Sequence, residues 1–191
     1  MTFAGIAFIL LLGLIGVVIL LVAVVAGAYN GLVRLRNQVD NAWAQIDVQL
    51  KRRHDLIPNL VETVKGYAAH EKTTLENVIK ARNIAAGATN IAERAQAENM
   101  LTGALKSLFA VAEAYPNLKA DQSFLSLQQE VAGTEDKVAF SRQAYNDSVM
   151  AFNTRREVFP TNIIANLFNF ARREFFEVKD EAQREAPQVK F

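Results

Sequence analysis

Residues 3–29 read FAGIAFILLLGLIGVVILLVAVVAGAY, an unbroken run of apolar side chains and glycine. A helix rises about 1.5 Å per residue, so about 20 residues cross a hydrocarbon core of roughly 30 Å. The run is long enough, with tilt to spare. Backbone in lipid must satisfy its own hydrogen bonds, so a membrane-spanning helix is the physical reading. A cleaved signal peptide is the first rival, but it carries a positive n-region before a core of about 7–15 apolar residues. Ala26-Gly27-Ala28 has the form of a cleavage site, yet no Lys or Arg precedes Arg34. A lipoprotein needs a cysteine, and the chain has none. A buried helix of a soluble domain rarely runs this far without a charge.

The flanks then set an orientation. None of the first 33 residues is charged, and Arg34, Arg36, Lys51, Arg52 and Arg53 follow. Basic residues hold their side of a span in the cytoplasm, which predicts an outside N-terminus and a cytoplasmic body. That body is about 160 of the 191 residues, enough for one domain with its own core. The 21 basic and 20 acidic side chains leave a net charge of +1, against the strongly basic domain that binds nucleic acid. Without cysteine, disulfides, thiolate catalysis and Cys-ligated zinc are all excluded.

Beyond the span the chain reads as all-α. Leu35, Val39, Ala42/Trp43, Ile46, Leu50, Ile57, Leu60, Val64 and Tyr67 recur in steps of three and four. The stripe keeps phase through Pro58, which predicts a kinked single helix whose His54 carbonyl has lost its donor. A second stripe starts at Thr73-Thr74-Leu75-Glu76, spaced as a capping box. It is interrupted at Gly87-Ala88-Thr89-Asn90, restarts at Asn90-x-x-Glu93 and stops at Pro116-Asn117. A third comprises Leu118, Leu125, Val131, Val138, Tyr145, Val149 and Phe152, and ends before Pro160. Gln128, Glu135 and Arg142 fall in its core phase, which suits a half-wet helix or a partner contact. The expected architecture is therefore an N-terminal transmembrane helix, an elongated antiparallel bundle of three long helices and a short C-terminal helix. The domains are 1–33 (tail and span), 34–160 (bundle) and 161–191 (a Phe-rich short helix capped by Thr161, then a charged, loose tail). Three passes of about 50–60 Å each would leave the Phe-rich segment at the far end of the bundle from the bilayer.

Chemistry is sparse. His70-Glu71 lacks the second histidine of a zinc-binding His-Glu-x-x-His, and His54 in KRRHD reads as a solvated histidine on the outer face of a helix. No Gly-rich phosphate loop occurs, and no serine has a histidine within helical reach. The expectation is no catalytic, metal or cofactor residues. Candidate partner or oligomer contacts remain. Ala23, Gly27 and Gly31 place small residues on one face of the span, where two helices can approach closely. Arg52 and Arg53 read as a solvated charged face or a docking site. Phe168, Phe170, Phe175 and Phe176 read as a lid on the bundle or an exposed partner site.

Two blocks carry a family resemblance. The first runs from Tyr29-Asn30 to about Ala86 and contains VDNAWAQIDVQLKRRHDLIPNLVETVKGYAAHEKTTLENVIKAR, the second is RQAYNDSVMAFNTRREVFPTNIIANLFNFARREFFE (142–177), and both resemble the LemA family of bacterial membrane proteins. The match includes Trp43, Arg52, Arg53, Asp55, Leu56, Pro58 and Asn59, and later Tyr145, Asn146, Asn153, Phe159, Pro160, Phe168 and Phe170. The family often has glycine where Asn169 stands, and asparagine tolerates positive φ better than most residues. Tyr-Phe is common where this chain has Phe175-Phe176. The resemblance implies an antiparallel helical bundle on a single-pass anchor in the bacterial inner membrane, with no established enzymatic activity and an association with HtpX-type membrane metalloproteases. The expected function is a self-associating, non-catalytic scaffold or adaptor. A regulatory subunit of a membrane protease is the alternative, and a hydrolase with an unrecognised site comes third. The expected partners are the lipid bilayer, further copies of the chain and a membrane protein such as a metalloprotease.

Overall fold

A computed structural model describes residues 3–177, and the charged tail expected to be loose lies outside the described residues. Six helices occur in order: α1 (Phe3–Tyr67), α2 (Lys72–Gly87), α3 (Ile91–Glu113), α4 (Pro116–Lys119), α5 (Gln122–Glu157) and α6 (Thr161–Leu167). No strand occurs among the described residues. The chain divides into two compact units, Met1–Asn41 with Asp147–Arg173, and Ala42–Asn146 with Glu174–Phe191.

In unit 1, α1 carries the apolar run, and its described side chains up to Gly27 are all exposed. Burial begins at Ala28 and continues at Leu32 and Val39, so the protein packs on this helix only where the apolar run ends. Leu10–Tyr67 includes a window of mean hydropathy 3.1 with none of its surface buried, as a span facing lipid requires. The C-terminal turns of α5 contribute Val149 and Phe152 to this unit's interior, and α6 contributes Ile164 and Ala165. Thr161, expected to cap α6, is instead its buried first residue and makes no cap bond.

Unit 2 contains α2, α3 and the short α4 whole, with parts of the long helices α1 and α5. Contacts of α1 with α5 and the residue just before it pair Trp43 with Tyr145, Arg53 with Glu135, and Tyr67 with Asp121. One index falls as the other rises, so these helices are antiparallel. The pairs Asp47–Arg94 and Arg53–Thr102 rise together, so α3 runs parallel to α1. The middle stripe therefore differs from the single long helix expected. Ala88 and Asn90 are both extended, and the chain turns back there, making α2 and α3 a packed pair. Asn90 caps α3 by accepting from the Glu93 N–H at 2.8 Å, as its spacing predicted. The capping box at Thr73 does not form, because α2 already starts at Lys72. Ile57, Leu60, Val64, Val78, Leu101, Leu105 and Leu108 make the core with Phe124 and Val131 of α5, each contributing about 1.5–3 kcal/mol on burial.

Pro58 lies inside α1, which runs on without reversal. The His54 carbonyl that proline leaves without a helical donor accepts from Arg82 Nε of α2 at 3.2 Å.

Candidate functional site

The stripe through α1 passes from Leu50 to Ile57 by way of Arg53 and His54, which puts two polar side chains on the buried face. Both are interior in unit 2: Arg53 is 2% exposed and His54 7%. The reading of a solvated charged face is overturned for these two, because the period that carries Leu50 inward carries Arg53 and His54 with it. Arg52, one position round the helix, stays on the surface and pairs loosely with Glu130 at 3.8 Å.

Glu98 of α3, 5% exposed, answers the two buried groups. Its Oε1 is 2.7 Å from His54 Nε2, and its Oε2 accepts from Arg53 Nη1 at 3.4 Å. Arg53 Nη2 donates to the Thr102 hydroxyl at 2.9 Å and lies 3.6 Å from the half-exposed Glu135 carboxylate of α5. Arg53 Nε finds no acceptor. One guanidinium thus joins α1, α3 and α5. A buried ion pair adds little net stability against an apolar core but is costly to leave half-made, so each member of this cluster depends on the others being in place.

Beside it, Arg94 fastens the start of α3 to α1. It pairs with Asp47, stacks 5.4 Å from the Trp43 ring and donates to the Ala88 carbonyl at 3.2 Å. At the other end of the unit, Asp121 accepts from the Phe124 N–H at the start of α5 and from the Tyr67 hydroxyl, each at 2.9 Å. The Phe124 N–H and then the Tyr67 hydroxyl hold the Asp121 carboxyl below the usual range, and the Asp121 bond in turn raises the Tyr67 hydroxyl. Burial, with Glu71 nearby, raises the Tyr115 hydroxyl. An open groove of about 810 Å³ lies between α1 and α2, with Val61, Leu75 and Ile79 in its lining and Lys65, Lys72 and Lys80 among its charged residues. Among the described residues, no three His, Asp or Glu side chains group as metal ligands would.

The Phe-rich segment is held by asparagine amides of α5. In unit 2, Asn146 takes both backbone groups of Phe176, at 2.9 and 3.3 Å, and the Tyr145 hydroxyl donates to the Glu174 carbonyl at 2.8 Å. In unit 1, Asn153 takes both backbone groups of Arg173, at 3.0 and 2.9 Å. Arg156 Nε donates to the Phe170 carbonyl at 2.7 Å. Asn169, which stands where the family often has glycine, has φ 54°, a left-handed conformation that asparagine tolerates better than most residues.

The candidate residues part company. Phe170 and Phe176 are buried, Phe175 is half-buried, and Phe168 is 48% exposed. In unit 1, the rings of Phe168 and Phe170 lie 4.9 and 5.7 Å from Tyr29, where the apolar run ends. This corrects the expectation that the segment lies a bundle-length from the bilayer. Dividing the middle stripe makes the number of passes even, and the chain comes back to where it left the span. Ala23 and Gly27 are exposed on α1, and Gly31 is half-buried. Sequence reasoning missed Glu98, Thr102 and Glu135 as partners of Arg53. The signal for Glu98 was present, since it stands on the same stripe as Leu101, Leu105 and Leu108.

The LemA family model matches residues 42–191. This chain belongs to the LemA family. It is 30% identical over 155 residues to Protein LemA of Metamycoplasma hominis, covering 78% of this chain and 69% of that protein. It is 23% identical over 188 residues to Magnetosome protein MamQ 2 of Paramagnetospirillum magneticum, covering 85% and 69% of the two chains. Magnetosome protein MamQ of Magnetospirillum gryphiswaldense matches at 23% over 177 residues, 79% and 65% of the two chains. With its exposed apolar helix, the chain is a LemA-type membrane protein, anchored at its N-terminal end. The LemA match starts at Ala42, so the Arg53 cluster and the Phe-rich segment lie within it, whereas Ala23, Gly27 and Gly31 precede it.

Proposed function

We propose that this LemA-family protein is a non-catalytic scaffold or adaptor, anchored in the bacterial inner membrane with its helical body in the cytoplasm, and that it self-associates. One observation carries the reading. The side chains with most chemical capacity in unit 2, Arg53, His54 and Glu98, are consumed by one another in the interior. A body built this way presents fixed surfaces, the open α1–α2 groove among them. Self-association is assigned to the small-residue face of the span, where a Cβ added at Gly27 or Gly31 would meet nothing of its own chain within 4 Å.

The test is to solubilise the chain from its own membrane in mild detergent, measure the particle mass and identify every component. Several copies of this chain, alone or with a stoichiometric partner, are expected. Gly27→Leu should lower the copy number while leaving the helical content intact. A particle containing one copy and nothing else would overturn the reading, and a membrane protease as the constant companion would replace it with the regulatory-subunit alternative.

A further inference from the structure

Helix α6 is apolar on both sides. Ile164 and Ala165 face the interior of unit 1, while Ile163 and Leu167, four residues apart on one face, are 56% and 68% exposed. A surface helix of a soluble body would carry polar residues there. Phe159 and Phe168, just before and just after α6 in the chain, are exposed as well, so an apolar patch of four large side chains lies on and beside this helix. Its location says what covers it. The Phe168 ring packs 4.9 Å from Tyr29, the last residue of the apolar run, so the patch adjoins the point where α1 leaves the hydrocarbon.

Charge gives the second half of the argument. Unit 1 carries six arginines against three carboxylates, and no lysine. A cleft of about 320 Å³ in that unit is lined by Arg36, Arg172 and Arg173 together with Phe152, Asn169 and Phe170. Arg36 lies over the Phe170 ring at 5.5 Å, the same ring that touches Tyr29 at 5.7 Å. Arg173 is paired with Asp40 at 2.8 Å, whereas Arg172 has no carboxylate partner among the described residues. Guanidinium groups beside an apolar patch at the end of a span match a phosphate headgroup joined to acyl chains.

We propose that the base of unit 1 binds anionic phospholipid, with Ile163, Leu167 and Phe168 entering the acyl boundary and Arg36 and Arg172 holding the headgroup phosphate. The occupant is lipid, because the cleft and the apolar patch share the Phe168–Phe170 segment that adjoins the span. The inference rests on the membrane anchor alone and does not depend on the scaffold reading.

The test uses the full chain reconstituted in vesicles of phosphatidylcholine containing a trace of photoreactive phosphatidylglycerol or, in parallel, photoreactive phosphatidylcholine. Adducts are mapped by peptide mass. The span, residues 10–27, serves as the internal standard, since it labels with either probe. Adducts on residues 159–172 are expected, in excess with phosphatidylglycerol. Arg36→Gln and Arg172→Gln should each reduce that excess about fivefold without changing labelling of the span. Leu167→Ser with Ile163→Ser should reduce adducts from both probes. A labelled span with an unlabelled 159–172 would overturn the proposal, and so would equal labelling by the two lipids. Loss of the excess on adding inorganic phosphate equimolar with lipid would assign the cleft to a soluble anion instead. Crosslinks from 159–172 to a second copy of the chain in place of lipid would make the patch a protein interface.

Discussion

At the residue scale, Glu98 is the group whose loss matters most. It is the only carboxylate among the described residues that meets both Arg53 and His54. Glu98→Ala leaves a guanidinium buried without its nearest charge, and the cost should be about 3–5 kcal/mol in denaturant unfolding of the detergent-solubilised chain. Arg53→Met combined with Glu98→Leu should recover much of that loss, because the pair is worth little against apolar packing. Equal losses in the two variants would mean that the cluster acts through volume rather than charge. Asp121 and Tyr67 give a pH signature of opposite sign at each limb. The carboxyl is lowered in the folded protein, so its contribution is present above the ordinary carboxylate pKa of about 3.9 and lost as pH falls through the lower folded value. The Tyr67 hydroxyl is raised, so its contribution holds below about 10 and fades as pH rises past the folded value. Asp121→Ala should therefore lower Tm at neutral pH, and the gap to wild type should close at both extremes. A gap that stays constant with pH would remove the ionised carboxylate from the account.

At the element scale, α1 shows what period can and cannot reveal. The apolar stripe from Leu35 to Tyr67 was legible, and so was its continuity through Pro58. Its direction relative to later helices was not, since a stripe looks alike on either side of a short reversal. Hence the turn at 88–90 registered only as an interruption. The Arg53 cluster was legible in part: two polar residues in apolar phase on α1 and one on α3 are its signature, but pairing across 45 residues is a tertiary fact. Asn146 and Asn153 likewise border the buried phase of α5 two turns apart, and only the backbone they hold explains them. Pro58 yields a prediction of coupling. The freed His54 carbonyl accepts from Arg82, so Arg82→Ala should cost about 1 kcal/mol in the wild-type background. In a Pro58→Ala background the carbonyl regains a helical donor, and that penalty should shrink. Amide exchange across residues 55–62 should slow at the same time. Additive effects of the two substitutions would show that the carbonyl was never the link.

At the scale of the whole molecule, the parity of the passes and the charge of the flanks are separate questions. Parity decides that the Phe168–Phe170 segment lies beside Tyr29, whichever side of the membrane the body occupies. Flank charge decides the side. Orientation responds to Lys and Arg within about 15–20 residues of a span, where Arg34 and Arg36 qualify, and much less to acidic residues. Residues 172 and 173, though basic and in the same unit, are too distant along the chain to steer insertion. A reporter active only in the cytoplasm, fused after Phe191, should therefore be active, and an exported reporter at the same place silent. Arg34→Gln with Arg36→Gln should weaken the bias and expose the body of a fraction of molecules to external protease. Arg172→Gln with Arg173→Gln should leave orientation unchanged. If the pair at 172 and 173 moved the topology and the pair at 34 and 36 did not, the basic groups would be acting after folding, through the lipid headgroups they meet, and not during insertion.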